Sequence, residues 1–272
     1  MSNFEDKHVI ITGGSSGIGK EVAKLLAREG ANISIIARNS TKLASAQQEI
    51  ALEKISTQQR IFSFSADVCQ REEIETAIEK AIALVGSPDI LITCAGIAHP
   101  GYFQELPLEI FENTMAINYF GSLYAIKAVL PAMEKQRRGH IVLISSGAGL
   151  IGIYGYTPYS PTKFALRGLA ESLRGELKQS GIKVSIVYPP DTDTPQLEAE
   201  NKTKPRETKL ITGSAQTWSA QNVAKEILQG MVKEKFAITP GLEMGVLNRF
   251  HSLLAPILQW YFDRIVAKVQ KS

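Results

Sequence analysis

Tyr159 and Lys163 lie four residues apart in the segment Tyr-Ser-Pro-Thr-Lys, and this spacing can support acid–base chemistry. On a helix, side chains separated by four residues share one face. A phenol with its ordinary pKa of about 10 transfers protons poorly at neutral pH. An ammonium ~4 Å away, at an effective dielectric of ~20, would favour the phenolate by about 4 kcal/mol and lower the tyrosine pKa by up to ~3 units. We therefore expect this pair to exchange protons near neutral pH, with a solvated surface pair as the alternative.

A glycine-rich segment follows the apolar run 9–11 and reads Thr-Gly-Gly-Ser-Ser-Gly-Ile-Gly over residues 12–19. A strand, a glycine-rich turn and a helix in this order direct backbone N–H groups and a positive helix N-terminus at a phosphate. The glycine spacing, G-x-x-x-G-x-G, departs from the dinucleotide pattern G-x-G-x-x-G. The segment therefore predicts a phosphate-binding turn, with a simple tight turn as the alternative.

Together the two motifs resemble those of the short-chain dehydrogenase/reductase family, T-G-x-x-x-G-x-G and Y-x-x-x-K, and the resemblance extends over roughly residues 5–240. Ser146 lies 13 residues before Tyr159, as the family's catalytic serine does, and the adjacent Ser145 is the alternative. Asn118, in Met-Ala-Ile-Asn-Tyr, matches a fourth catalytic position, where the family positions a water near the lysine. The resemblance implies the catalytic residues Ser146, Tyr159, Lys163 and Asn118, and the substrate contacts Ser145, Ser146 and Tyr159.

The resemblance also implies a nicotinamide cofactor. Asp67 matches the residue that holds the adenine ring, and Ala95-Gly96 matches the turn beneath the cofactor, although Thr93-Cys94 stands where the family reads Asn-Asn. Pro190 replaces a family glycine, whereas Thr194 keeps the threonine that binds the nicotinamide carboxamide. The expected cofactor-binding residues are Gly13, Ser15, Ser16, Gly17, Ile18, Gly19, Arg38, Lys42, Asp67, Val68, Ala95, Gly96, Tyr159, Lys163, Pro189, Thr192 and Thr194.

The end of the second predicted strand favours NADPH over NADH. An NAD enzyme has an acidic residue here for the ribose 2′-hydroxyl, but this chain has Ala37 followed by Arg38. A guanidinium suits the 2′-phosphate of NADPH, and Lys42 can assist from the next helical turn. The alternative is an ordinary solvated arginine after a strand. We expect NADPH as the cofactor and hence a reductase.

Alternating strands and helices must position these residues. The predicted strands are 7–12, 31–37, 60–65, 89–93, 139–145, 182–188 and 236–239, and the predicted helices are 17–29, 40–55, 71–85, 108–135, 158–179 and 220–234. The strands are continuous apolar runs, as in parallel sheets that are covered on both faces. This pattern predicts an α/β fold with a doubly wound (Rossmann), mostly parallel seven-stranded sheet. Its ligand crevice should lie beyond the carboxyl ends of the strands, where Gly13, Arg38, Asp67, Ala95 and Ser146 fall.

A more specific segment, P-P-D-T-D-T-P over residues 189–195 followed by E-N-x-T-K-P over residues 200–205, resembles the sphingoid-base ketone reductases of this family. It implies NADPH-dependent reduction of a long-chain ketone, 3-dehydrosphinganine to sphinganine. One alternative is a reductase of another long-chain carbonyl, either a retinoid or steroid ketone or a 3-oxoacyl thioester; in the last case Lys202, Lys204 and Arg206 would form a basic entrance for the carrier's phosphates. A second alternative is a non-catalytic NADPH-binding protein.

The remaining patterns define the domains and exclude several partners. We expect one catalytic domain over residues 1–240, with a substrate lid near 190–218, and an amphipathic C-terminal segment over residues 241–272. A net charge of +3 over 272 residues is too diffuse for nucleic-acid binding, and the four histidines lack the spacing of metal ligands. The N-terminus has no apolar signal region, and the chain has only two cysteines, so we expect a cytoplasmic protein. We also expect a homo-oligomer.

The C-terminal segment combines aromatic and basic residues. Trp260, Tyr261 and Phe262 lie beside Arg264 and Lys268, and no uncharged apolar run is long enough to span a bilayer. Such a mixture suits a helix lying in a membrane interface. The alternative is a helix that packs on its own domain or across a dimer.

Overall fold

Short apolar runs form a parallel sheet at the centre of the protein, as seen in a computed structural model that describes residues 3–213 and 216–271. Residues 214 and 215 of the expected lid and residue 272 of the C-terminal segment lie outside the described residues. The strands are β1 (His8–Thr12), β2 (Asn32–Ala37), β3 (Ile61–Ser65), β4 (Ile90–Thr93), β5 (Gly139–Ile144), β6 (Ile182–Val187), β7 (Thr192–Asp193), β8 (Trp218–Ser219) and β9 (Ala237–Ile238). Seven of them form one sheet in the order β3-β2-β1-β4-β5-β6-β9, and each neighbouring pair is parallel. The predicted doubly wound sheet is confirmed.

Helices cover both faces of this sheet. They are α1 (Gly17–Arg28), α2 (Ser40–Ala51), α3 (Arg71–Val85), α4 (Leu108–Met115), α5 (Gly121–Gln136), α6 (Ser160–Glu176), α7 (Pro195–Thr203), α8 (Arg206–Thr212), α9 (Ala220–Val232) and α10 (Leu242–Gln270), with single 3₁₀ turns at Gly147–Gly149 and Lys178–Ser180. Helices α1, α2 and α9 pack on one face, and α3, α5 and α6 pack on the other. The predicted helix 108–135 contains a π-helical turn at Ala116–Phe120, which joins α4 to α5.

The alternation of side chains along each strand explains why apolar residues predominate in the sheet. Ile10 and Ile11 are adjacent in β1 and both fully buried, but they belong to opposite core layers. Successive residues of a strand point to opposite faces, so a sheet with helices on both faces buries apolar side chains on both. Each such side chain contributes roughly 1.5–3 kcal/mol through its burial. Buried polar residues such as His8 and Ser34 hydrogen-bond to each other.

The strand order reverses between β1 and β4, and this reversal creates the crevice that the fold offers to a ligand. The connection after β1 runs through α1 to β2 on one side, while the connection after β4 leads to β5 on the other. Loops diverge at such a switch point and leave a gap beyond the carboxyl ends of the strands. The crevice therefore lies at the end of the sheet where the sequence motifs were expected.

The expected lid is an excursion of the chain after β6. Strands β7 and β8 pair in parallel, with Thr192 opposite Trp218, and the Trp218 N–H donates to the Asp191 carbonyl at 2.8 Å. Between the two strands the chain forms α7 and α8. The segment expected to form the lid is thus largely helical in the part that the structure describes.

Helix α10 differs from α1 to α9 because none of its described residues is buried. Its chain direction changes at a kink at Phe250, and its main neighbour is α8. Among the described residues, no helix combines the length and apolar content needed to cross a membrane.

Candidate active site

A cleft of about 350 Å³ opens at the carboxyl ends of the strands, and residues of the segment expected to form a lid, among them Gln196 and Glu200, line part of it. Of the residues expected to bind cofactor or substrate, those that line it are Gly13, Ser15, Ser16, Gly17, Ile18, Arg38, Lys42, Val68, Ala95, Gly96, Ser145, Ser146, Tyr159, Lys163, Pro189, Thr192 and Thr194. Gly19, Asp67 and Asn118 lie behind this surface. Gly19 packs beneath the turn, where an added Cβ would approach the Gly13 carbonyl oxygen to 2.5 Å.

The glycine-rich turn has the backbone geometry of an anion site. Gly13 has φ +73°, and a Cβ there would lie 2.6 Å from the Ala95 nitrogen, so only glycine fits. Helix α1 starts after Ser16, whose side chain makes no capping hydrogen bond within the described residues, and its first turn carries no acidic side chain. The first N–H groups of α1 and its positive dipole end therefore face the cleft without a competing anion, an arrangement that fits a dinucleotide diphosphate.

Arg38 and Lys42 line the same cleft at the end of β2. The Arg38 side chain is 57% exposed, and its Nη1 lies 3.5 Å from Asp67 Oδ2. Asn39 caps α2 by accepting from the Lys42 N–H at 2.9 Å, which orients the first turn of that helix. Asp67 does not line the cleft; its Oδ1 accepts from the Cys69 N–H at 3.0 Å. These contacts leave a cationic rim on the cleft.

Tyr159 and Lys163 lie side by side at the start of α6, as their spacing predicted. Tyr159 is 7% exposed and Lys163 is 5% exposed, so both are buried at the cleft wall. The Lys163 Nζ lies 5.4 Å from the centre of the tyrosine ring and donates to the Ile144 carbonyl at 3.0 Å. The pair is therefore not a solvated surface pair.

The pKa of Tyr159 moves opposite to the direction predicted from the sequence. Burial raises it above its ordinary value, and the Glu200 carboxylate raises it further, while hydrogen bonds from Ser146 and Gln196 oppose both. Burial also lowers the pKa of Lys163 to about 8, which weakens the lysine as a cation. The prediction of a lowered tyrosine pKa is wrong for this arrangement, because burial, the largest effect, and the Glu200 charge both raise it. Tyr159 is therefore protonated at neutral pH, the form that donates a proton.

The two adjacent serines face different partners. Ser146 lines the cleft, hydrogen-bonds Tyr159 and accepts from the Ala148 N–H at 3.1 Å. Ser145 donates its hydroxyl to the Lys163 carbonyl at 3.0 Å and is 3% exposed. The hydroxyl of Ser146 is thus directed at the tyrosine, whereas that of Ser145 ties β5 to α6.

Asn118 sits in the π-helical turn and is fully buried. Its amide accepts from the Ile97 N–H at 2.9 Å and donates to the Ile97 carbonyl and to Thr162 Oγ1, both at 3.0 Å. These bonds clamp the turn after β4 to helix α6. The extra residue of a π-turn redirects a side chain locally, which explains how the amide reaches both elements.

Several lining residues were not anticipated from the sequence. Tyr156 Oη donates to Glu200 Oε2 at 2.7 Å, and Gln196 Nε2 donates to Glu200 Oε1 at 2.8 Å. Gln196 and Glu200 lie on α7, and the sequence does contain a signal for the start of this helix. Thr194 followed by Pro195 is a typical helix start, and Thr194 Oγ1 accepts from the Leu197 N–H at 3.3 Å. The unanticipated lining residues also include Ile97, Ile153, Asp191 and Leu197.

Comparison with known proteins places this geometry in a family. Residues 7–205 match the short chain dehydrogenase family. Among solved structures, levodione reductase superposes with a TM-score of 0.78 at 23% identity, covering 87% of this chain and 95% of that one. A short-chain type dehydrogenase/reductase from Mycobacterium ulcerans superposes with a TM-score of 0.77 at 26% identity, covering 88% of each chain.

Curated relatives are more similar in sequence. A 3-ketodihydrosphingosine reductase of Bos taurus is 42% identical over 251 residues, which cover 92% of this chain and 76% of the relative. The protein of the same name from Dictyostelium discoideum is 43% identical over 280 residues, covering 93% of this chain and 84% of the relative.

Proposed function

Because this chain belongs to the short-chain dehydrogenase family, and is an oxidoreductase that uses a nicotinamide cofactor, we propose that it reduces the 3-ketone of 3-dehydrosphinganine to sphinganine with NADPH. The observation that carries the proposal is the meeting of Tyr159, Ser146 and Lys163 at one wall of a cleft whose floor is the glycine-rich turn. The names of the relatives supply the substrate class.

The protein's own groups supply the proton and hold the carbonyl oxygen. When bound, the nicotinamide supplies a hydride to the ketone carbon. The protonated hydroxyl of Tyr159 donates its proton to the oxygen as negative charge develops there, and Ser146 hydrogen-bonds the same oxygen. Lys163, which lines the cleft, would hold the nicotinamide ribose. Asn118 positions the turn after β4 through Ile97; its ordering of a water near the lysine stays a prediction.

The choice of NADPH rests on the cationic rim at the end of β2. Arg38 and Lys42 line the cleft where the ribose 2′-position of a bound dinucleotide would lie, and Ala37 offers no carboxylate there. A planar guanidinium binds a phosphate through parallel hydrogen bonds. The adjacent Asp67 is within ion-pair distance of Arg38 and helps to orient it.

Contacts within the lid weaken the alternative that the substrate is a 3-oxoacyl thioester. It relied on a basic entrance formed by Lys202, Lys204 and Arg206, but Lys204 is 6% exposed and faces Asp191 and Glu200. A lysine committed to two carboxylates cannot serve the phosphates of an incoming carrier. We therefore favour the free long-chain ketone as substrate.

A substrate panel tests the proposed function. Purified protein with NADPH should reduce 3-ketodihydrosphingosine with kcat/KM at least tenfold above that for an acetoacetyl thioester or a retinoid. Cofactor consumption at 340 nm and chromatography of the product measure this directly, and Tyr159→Phe protein provides the background. Equal or faster turnover of the thioester would overturn the assignment, and a protein that binds NADPH but reduces none of the three would be a non-catalytic binder.

We further propose that α10 lies in a membrane interface, so that the enzyme works in the cytoplasm at a lipid surface. Leu253, Ile257 and Trp260 recur every three or four residues after the kink, so they form one stripe along this part of the helix. Val246 and Phe250 are further exposed apolar residues before and at the kink. Each is more than two-fifths exposed, and Leu253 reaches 73%. The cation of Arg264 lies 4.2 Å above the Trp260 ring, at the end of this stripe. An apolar stripe ending in a basic and aromatic group is typical of interfacial helices.

Liposome flotation tests this proposal. Replacing Trp260, Tyr261 and Phe262 with serine should release the protein from anionic vesicles, because burial of even ~150 Å² of their area contributes about 4 kcal/mol at ~25 cal/mol per Å². The matched control replaces the exposed apolar residues Leu52, Ile55 and Phe103 with serine and should still float. Wild-type protein that never floats with the vesicles would show that α10 packs against protein instead. Sedimentation of the wild-type protein would then test the predicted homo-oligomer.

A further inference from the structure

A cluster of charged groups in the lid forms one wall of the cleft beside Tyr159. Glu200 and Lys204 are each 6% exposed, and Asp191 joins them from the loop after β6. The Lys204 Nζ lies 3.9 Å from Asp191 Oδ2 and 4.0 Å from Glu200 Oε2, beyond hydrogen-bond length in both cases. The lysine therefore balances part of the negative charge without saturating either carboxylate.

The carboxylates, and not the lysine, line the cleft. Asp191 and Glu200 contribute to its wall, whereas Lys204 lies behind them. Two carboxylates and one ammonium leave one formal negative charge in this lid cluster. Lys163 also lines the cleft and interacts with Glu200, but it is already bound to the Ile144 carbonyl, and burial lowers its pKa to about 8. The influence of this charge is already evident, because Glu200 raises the pKa of Tyr159. A buried excess charge is costly unless a partner of opposite sign compensates it.

The hydrogen-bonding capacity of Glu200 also leaves room for a ligand. Tyr156 donates to its Oε2 and Gln196 donates to its Oε1. An ionised carboxylate offers about four acceptor positions, so each oxygen retains capacity for a further donor. An ammonium carries three donors, which can be shared between Glu200 and Asp191.

We propose that Glu200, assisted by Asp191, binds the ammonium group of an amino ketone and thereby selects substrates with an amine next to the reacting carbonyl. This inference rests on the proposed function, because an α-amino ketone with its carbonyl oxygen at Tyr159 places the nitrogen one carbon away, within reach of the lid. The remaining negative charge of the cluster is then neutralised by the substrate, which closes the cleft without a buried excess charge.

The alternative role for Glu200 is to hold the lid shut through its bond to Tyr156. That role predicts equal losses for charged and neutral substrates when Glu200 is changed. The ammonium site predicts a loss confined to the substrate with the amine. The ratio of kcat/KM for two ketones that differ only in the amine separates the two roles.

The test compares 3-ketodihydrosphingosine with 1-hydroxyoctadecan-3-one, which lacks the amine. Wild-type enzyme should have a higher kcat/KM for the amino ketone than for the neutral ketone. Glu200→Gln should lower this ratio about 10- to 100-fold, because losing a hydrogen bond to a charged group typically has an effect of that size. Glu198→Gln removes the same charge from an exposed position of α7 and should keep the wild-type ratio. Bound NADPH, followed by its fluorescence, verifies that each variant is folded.

The outcomes distinguish this inference from the function on which it rests. A Glu200→Gln enzyme that retains the wild-type preference overturns the ammonium site but leaves the reductase assignment intact. Wild-type enzyme that prefers the neutral ketone likewise overturns only the ammonium site, whereas wild-type enzyme that reduces neither ketone overturns both. If Glu200→Gln protein does not fold, product inhibition of the wild type decides: sphinganine should inhibit at least tenfold more strongly than octadecane-1,3-diol, and equal inhibition overturns the inference.

Discussion

Replacing Tyr159 with phenylalanine should lower kcat by about 10²- to 10⁴-fold, the usual contribution of general acid–base catalysis, while NADPH binding remains close to that of the wild type. The hydroxyl is the proposed proton donor, and its pKa lies above the ordinary value, so it is protonated throughout the neutral range. The ring itself is retained and continues to pack against Tyr156, whose ring centre lies 5.6 Å away. Single-turnover kinetics and cofactor fluorescence measure the two effects separately.

Tyr124→Phe is the matched control, since it removes a tyrosine hydroxyl from α5, outside the cleft lining, and should leave kcat unchanged. Turnover of Tyr159→Phe within about tenfold of the wild type would remove the tyrosine from its proposed role.

The double variant Ala37→Asp with Arg38→Leu should lower the NADPH-to-NADH ratio of kcat/KM by about 10²-fold or more. The loss of charge-assisted hydrogen bonds to the 2′-phosphate accounts for about 10- to 100-fold, and repulsion by the new carboxylate adds to it. The same carboxylate accepts from the 2′-hydroxyl of NADH, which improves that cofactor. Steady-state kinetics with both cofactors measures the ratio.

Arg71→Leu, at the exposed start of α3, removes an arginine that pairs with Glu75 and should not alter the ratio. Unchanged selectivity in the double variant would mean that Arg38 is only a surface partner of Asp67.

The sheet could be predicted from the sequence because each of its strands is marked by a local apolar run. Strand β5, for example, is confirmed within one residue of its predicted end at 145. Helices α7 and α8 have no local apolar pattern of this kind, since their residues are mostly polar. The start of α7 depends on the cap formed by Thr194. Short polar helices are stabilised by what they pack against, which a local pattern does not contain.

The active site likewise has some features that the sequence predicts and others that it does not. The spacing of Tyr159 and Lys163 predicts their proximity, because a helix fixes the separation of residues four apart. The direction of the tyrosine pKa could not be predicted, since it depends on burial and on Glu200, which approaches from a helix later in the chain. The sequence likewise left Ser145 and Ser146 open as alternatives, since their different hydrogen-bond partners depend on how each side chain is directed after β5.

The pairing of β7 with β8 makes the lid a segment that can be replaced as a unit. Because Thr192 and Trp218 hold its two ends together, the intervening residues begin and end at one point of the scaffold. Lengthening such a closed loop costs only about 0.6 kcal/mol for each doubling of its length. Lids of other lengths could therefore be grafted, in evolution or in the laboratory, without moving the sheet. Those that keep Gln196 and Glu200 would also keep the surroundings that set the pKa of Tyr159.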